Sequence, residues 1–174
     1  MKDALEDFER TVEAAAERLR GLTEAEAEAR PASGAWSAKE TLGHLIDSAA
    51  NNHQRFVRAQ FRNDLDFPGY VQDEWLAAQH YQETSWPRLV ELWRLYSLHL
   101  LHVVSRIPAE ELGRPRRPHS LHKIAFKLVD ENEAATLEYL IHDYVEHLKH
   151  HLHQIQTADE RARDEAATAP SQDG

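Results

Sequence analysis

Toward the end of the chain, residues 142–155 read HDYVEHLKHHLHQI and place five of the protein's twelve histidines within fourteen positions. Imidazole titrates near neutral pH and also lends a lone pair to divalent metals, so the stretch is a metal site, a pH-sensitive surface or a helix rich in imidazole. Helical geometry sorts these histidines one by one. At about 100° per residue, Leu137, Leu140, Ile141, Tyr144, Leu148, Leu152 and Ile155 form a buried stripe. His142 and His153 fall opposite it with Glu138, Glu146 and Lys149, on a solvated face. His147 and His151 are four apart on one face, with Cβ atoms about 5–6 Å apart, and His151 projects into the stripe. Two imidazoles so placed can share one ion. Asp143 and Gln154 continue the same line, which places Asp143 to accept a hydrogen bond from the far ring nitrogen of His147 and fix its tautomer. His150 sits at the edge, and its role stays open.

A His-x-x-x-His pair is equally explained by two structurally satisfied histidines unless a third ligand comes from elsewhere. His44, in ETLGHLID, is the best placed, being flanked by the small residues Gly43 and Ser48. It lies at the margin of its helix's apolar stripe with Thr41, Ser48 and Arg55, so it reaches an interior only where a neighbouring helix covers that flank. Asp47 points away on the same wheel, which favours Asp143 as a carboxylate near the site. His99 and His102 lie at or beyond the polar edge of another helix, where solvation accounts for them. Asn51, Asn52 and Arg55 either line a polar pocket beside His44 or make hydrogen bonds within a bundle. Tyr70, Asp73 and Trp75 in FPGYVQDEW either lid the site or cover a core.

Four helical segments must position these residues. Leu5, Phe8, Val12, Ala15, Ala16 and Leu19 repeat at helical spacing from about Ala4 to Arg20, and Gly21 ends that run. Ser37 and Glu40 have capping-box spacing and open a second helix running to about Phe61. Ser85 as N-cap, with Pro87 in the first turn, opens a third that runs to Ile107 before Pro108. Thr136 caps a fourth that passes through the histidines to about Asp159. Segments 62–75 and 108–132 read as connections with short turns, with LHKIAFKLVDEN undecided between helix and strands. Strand alternation is hard to find, so the fold class is all-α, a four-helix bundle in a single domain over 1–160 with a frayed tail at 161–174.

Composition narrows the chemistry. The chain has 174 residues and a formal charge of −10, with no basic cluster larger than RPRR at 114–117, which speaks against nucleic acid as a partner. Cysteine is absent, excluding a disulfide framework, a thiolate metal site and a cysteine nucleophile. No segment reads as a membrane span or a signal peptide, and the expected location is cytoplasmic. Neither a Ser-His-Asp arrangement nor a phosphate loop stands out.

The tryptophan-led cap, the helix carrying GHLIDSAANNHQRF and the last helix with HDYVEHLKHHLHQI together resemble the DinB/YfiT-like superfamily of four-helix bundles, over roughly residues 5–157. The resemblance implies a divalent metal, commonly zinc or nickel, held by one histidine of the second helix and two of the last. Matched residue by residue, GHL corresponds to His44, and HLKHHLHQI on the family's His-x-x-His-His-Arg-Gly-Gln run corresponds to His147 and His151, with Gln154 on the closing Gln. Leu152 and His153 stand where Arg-Gly is common. The resemblance further implies a metal-dependent transferase acting with a low-molecular-weight thiol, and the wheel adds Asp143 as the catalytic carboxylate beside the metal. The alternatives are a metal-dependent hydrolase using Asp143 as base and a non-enzymatic stress-related binding bundle. A homodimer through bundle faces fits this architecture.

The wheel generates the first test. His147→Ala and His151→Ala each remove most of the bound metal from the purified, untagged protein, measured by mass spectrometry, whereas His153→Ala and His102→Ala leave it unchanged. Loss in the His153 variant as complete as in the His151 variant would overturn the facial assignment. Because only neutral imidazole coordinates, release is expected to begin below about pH 6.

Overall fold

The computed structural model describes residues 1–31 and 34–168, with side chains of the last helix described to Ala158. In chain order the elements are α1 (Lys2–Leu19), α2 (Glu24–Glu28), α3 (Ala38–Ala59), α4 (Gln72–Gln79), α5 (Trp86–Ser105), α6 (Ala109–Gly113), α7 (Leu121–Ile124) and α8 (Leu137–Thr168), with a 3₁₀ turn at Tyr81–Glu83.

Local chemistry sets the helix starts. The Ser37 hydroxyl accepts the Glu40 N–H at 3.2 Å and the Glu40 carboxylate accepts the Ser37 N–H at 2.9 Å, the reciprocal pair expected from the spacing. Thr136 caps α8 as expected, accepting the Tyr139 N–H at 3.1 Å. Ser85 occupies the N-cap position of α5 without using its hydroxyl. The Trp86 N–H donates instead to the Glu24 carboxylate at 2.9 Å, so a side chain of α2 caps α5. No local sequence rule reaches across that separation. The last helix continues to Thr168, past its expected end near Asp159, and the remainder of the expected tail lies outside the described residues.

The long helices α1, α3, α5 and α8 form the bundle. α3 packs on α5 and α8, and α1 packs on the same two, so α1 and α3 face each other diagonally. Their facing stripes build one core, including Phe8, Leu42, Phe56, Trp93, Leu100 and Leu148. Phe8 and Phe56 both set an edge against Tyr144 of α8, at centroid separations of 5.9 and 5.8 Å. No strand forms among the described residues. An isolated bridge from Leu65 to His119 ties the two connections together, and another from Arg116 to Ala135 closes the second on itself. The undecided segment resolves into the single turn of α7 followed by irregular chain.

α3 departs from a simple two-faced helix. Nearly every residue from Lys39 to Ala49 is buried, including Thr41, His44, Asp47 and Ser48. Asp47, expected to point away, is only 1% exposed, because α4 and the 3₁₀ turn cover that flank. Its Oδ1 accepts the Tyr81 hydroxyl at 2.7 Å and the Gln79 amide at 3.0 Å. Lys39, equally buried, is met by Glu24 at 2.5 Å and Glu28 at 2.8 Å from α2.

Gly43 permits this cover, since a Cβ there would lie 2.2 Å from the Tyr81 ring. Alanine would gain about 1 kcal/mol of helix propensity but would overpack a buried contact at a cost of about 1–3 kcal/mol. Gly43→Ala is therefore expected to destabilise by up to about 2 kcal/mol net, read as a lower urea midpoint. A raised midpoint would show that the Tyr81 ring gives way freely.

Candidate metal centre

The three predicted histidines converge. His44 from α3 and His147 and His151 from α8 each offer a ring nitrogen, and these atoms all lie within 4.8 Å of one another. His147 Nε2 stands 3.1 Å from His44 Nε2 and 3.1 Å from His151 Nε2. His44, marginal on the wheel, is 1% exposed, since the cover over α3 makes its flank interior.

Burial sets the electrostatics, because an imidazolium is costly away from water. It pulls His44 down to about 4, with His151 adding to the effect. It pulls His147 down to about 3, aided by His151, His44 and His150. His151 is lowered as well, by burial first, with Gln154 opposing and His150 assisting. All three rings are neutral at physiological pH. The second nitrogen then decides where each lone pair points. His151 Nδ1 donates to Gln154 Oε1 at 2.7 Å, which leaves Nε2 as a bare acceptor turned into the cluster. His147 Nδ1 faces the Ser48 hydroxyl at 3.5 Å. His44 Nδ1 is buried without a partner.

This donor set fits a divalent ion. In the tautomer that leaves all three Nε2 atoms bare, their lone pairs meet at one point that a cation satisfies. Nitrogens sharing an ion at about 2.0–2.1 Å stand about 3.3 Å apart at a tetrahedral centre, close to the 3.1 Å found here. No carboxylate among the described residues joins the three histidines.

Asp143 does not make the expected hydrogen bond to His147. Its two oxygens accept the Phe126 N–H at 2.8 Å and the Lys127 N–H at 2.7 Å, and Ser48 takes the place beside His147. Burial raises the Asp143 pKa, opposed by the Lys127 and Phe126 amides and the Lys127 charge. Asp143 still lines a small cleft of about 40 Å³ beside His147, with Ser48, Asn52, Arg55, Phe126 and Tyr144. The polar pocket anticipated beside His44 thus lies beside His147, and Asn51 turns back to the Asp47 carbonyl at 2.9 Å.

Aromatic rings wall the cluster. Tyr70 lies 6.4 Å from His44 and 5.0 Å from Trp75, so this part of the 62–75 connection stands over the site, while Asp73 stays exposed. Trp36 lies 5.2 Å from His44 and stacks on His151 at 6.4 Å, and Phe126 lies 5.6 Å from His147. Sequence reasoning used Trp36 only as the residue before a cap and gave Phe126 no role. Ser48, one turn beyond His44, carried a signal that could have been read. His142 and His153 are exposed, as are His99 and His102. His150 is exposed too, and its Nε2 accepts the Gln154 amide at 3.1 Å.

The arrangement defines a four-helix bundle with a three-histidine candidate metal centre between its second and last long helices. The sequence profile of the DinB superfamily matches residues 7–155, and the chain belongs to that superfamily. Among solved structures, YfiT from Bacillus subtilis, described as a probable metal-dependent hydrolase with an unusual four-helix bundle topology, is similar with a TM-score of 0.73 at 18% identity. That similarity covers 93% of this chain and 89% of YfiT. No curated protein matches the chain in sequence.

The depressed histidine values revise the pH expectation. The unfolded chain takes up protons near pH 6.5, whereas His44 and His147 stay neutral in the folded protein down to about 4 and about 3. The metal-free protein therefore keeps its full stability above pH 6.5 and loses it as the pH falls toward about 4, because the unfolded state binds more protons there. Urea midpoints should decline across that window, less steeply in His147→Leu, and coordination should persist below pH 6. A midpoint independent of pH would contradict buried neutral rings.

Proposed function

We propose that the protein is a divalent-metal-dependent enzyme that activates a small nucleophile at an ion held by His44, His147 and His151. Its reaction, in our reading, is transfer of a low-molecular-weight thiol to an electrophile. The observation that carries this is the convergence of three neutral imidazole nitrogens without a carboxylate among the described residues. An ion in such a set, zinc or nickel by ligand preference, keeps its full charge and lowers the pKa of a water or thiol at a remaining position.

The chain's own residues supply the rest. Gln154 holds the His151 tautomer, and Ser48 faces the outer nitrogen of His147. Trp36, Tyr70 and Phe126 limit the access of water to the cluster. The cleft beside His147 receives the second substrate. Asp143 is the group we assign to take up the nucleophile's proton. Each of its oxygens accepts one amide and keeps a second lone pair. In transfer, the sulfur–carbon bond forms as the bond to the leaving group breaks, and the leaving group departs with that electron pair.

Hydrolysis is the second reading. The similarity to YfiT favours it, and water would replace the thiol at the same site. Cobalt-loaded protein separates the two. Under transfer, the cognate thiol among a panel of bacterial thiols produces a sulfur-to-metal charge-transfer band and is consumed by a halogenated aromatic or an epoxide. If no thiol gives a band or turnover while an ester or amide panel is cleaved, hydrolysis replaces transfer. Protein that purifies without metal and with normal stability would overturn both.

A further inference from the structure

Among the described residues, the buried cations are matched by acids, with one exception. Lys39 meets Glu24 and Glu28, and Arg116 meets Glu111 at 2.6 Å. Arg55 on α3 is only 6% exposed, yet it donates hydrogen bonds only to uncharged groups. Nη1 donates to Asn52 Oδ1 at 3.3 Å and Nη2 to the Pro68 carbonyl at 3.1 Å. A guanidinium has five N–H donors in a planar fork, so most of its donating capacity remains. Arg55 lines the cleft that His147 also lines. A buried cation without a counter-charge is costly, and the cleft gives an anion a path to it.

We infer that Arg55 is the binding site for a carboxylate of the substrate, held in the cleft beside the three histidines. The assignment rests on the reading that this cleft holds substrate. The charge of the ligand follows from the rest of the lining. Asp143 lines the same cleft, and its carboxylate is held by the Phe126 and Lys127 amides rather than by Arg55. With one guanidinium and one amide-held carboxylate in its lining, the cleft suits a monoanion. A phosphate dianion would bring a second negative charge into the same enclosed space, with no further buried cation among the described lining residues to meet it. The planar fork also matches a carboxylate in two parallel hydrogen bonds. The substrate class is accordingly a small molecule with one carboxylate, whose reacting atom lies toward His147 when the carboxylate is on Arg55.

The test uses the metal-free, 15N-labelled full chain and follows the Arg55 Nε–H resonance. Acetate is the probe, with chloride and inorganic phosphate at pH 8 and matched ionic strength as comparisons. Acetate should shift the resonance saturably, while chloride and phosphate should not. Arg55→Gln should weaken acetate binding about tenfold or more, as expected for loss of a charge-assisted pair, and Arg55→Lys should retain part of it. Protection of wild-type Arg55 from phenylglyoxal by acetate, read by peptide mass spectrometry, decides the matter if the variants fail to fold. Acetate acting no better than chloride, absence of protection, or phosphate binding more tightly than acetate would overturn the inference. Because the probe needs no metal, the two failures are distinct. A silent Arg55 in a metal-binding protein sinks only this inference, whereas a responsive Arg55 in a protein that binds no metal sinks only the metal reading.

Discussion

Three imidazole nitrogens turned on one another inside a helix bundle are the constraint from which the rest of the site follows. Removed from water, the rings cannot hold a second proton at neutral pH, and each neutral ring has one bare nitrogen to offer an ion. Such a cluster suits a cation, and only if two helices keep their relative register. His147 Nε2 stands 3.1 Å from both neighbours, one on its own helix and one on α3. A one-residue slip of either helix would rotate a ring by about 100° and move it by about 1.5 Å, which abolishes the convergence. Much of the surrounding polar chemistry prevents such movement. Gln154 orients His151 from the next turn, and Trp36 closes over both His44 and His151.

α3 bears most of that burden and is unusual among the long helices in being covered on so many sides. A helix of an ordinary bundle buries one stripe and solvates the rest. Here α2, α4 and the 3₁₀ turn cover the remaining flanks, and each brings partners for polar groups that would otherwise be stranded. Glu24 and Glu28 meet Lys39, while Tyr81 and Gln79 meet Asp47. Buried pairs of this kind add little net stability against an apolar alternative, but losing one partner is costly. The pairs therefore specify where the short segments dock. Gly43 lets the Tyr81 ring approach the α3 backbone, and Glu24 doubles as the cap of α5.

The bundle supplies the frame, and the connections supply the walls. The similarity to YfiT at 18% identity shows how widely this fold is kept while sequence changes. The rings that wall the site sit in the pieces between the long helices: Trp36 before α3, Tyr70 in the first long connection and Phe126 after α7. Asp143 anchors the last of these by accepting two successive backbone amides, so a residue of α8 positions the loop that flanks its own histidines. Function on a shared fold is set by such grafted features rather than by the bundle itself.

What the sequence by itself determined was local or periodic. The capping box at Ser37 and Glu40, the Thr136 cap, the apolar stripes and the shared face of His147 and His151 depend on separations of three or four residues, and each stands in the structure as the spacing implies. Membership of a bundle family came from motifs matched as a set, and His44 was chosen from its small neighbours and its place at the stripe's margin before the motif matched it. The orientation of Asp143, the burial of Asp47 and the interior position of His44 were not legible, because each is decided by a segment far away in the chain. On the wheel, Asp143 could reach His147. In space, the 126–127 backbone offers it two N–H donors, and that pairing prevails. His44 looked marginal because a wheel shows only the helix's own faces, and it is interior because short segments cover a flank the wheel leaves open. Helical periodicity tells which residues share a face. Only tertiary packing decides what each face meets, since the partners that satisfy a buried polar group come from whichever distant segments the fold brings against it.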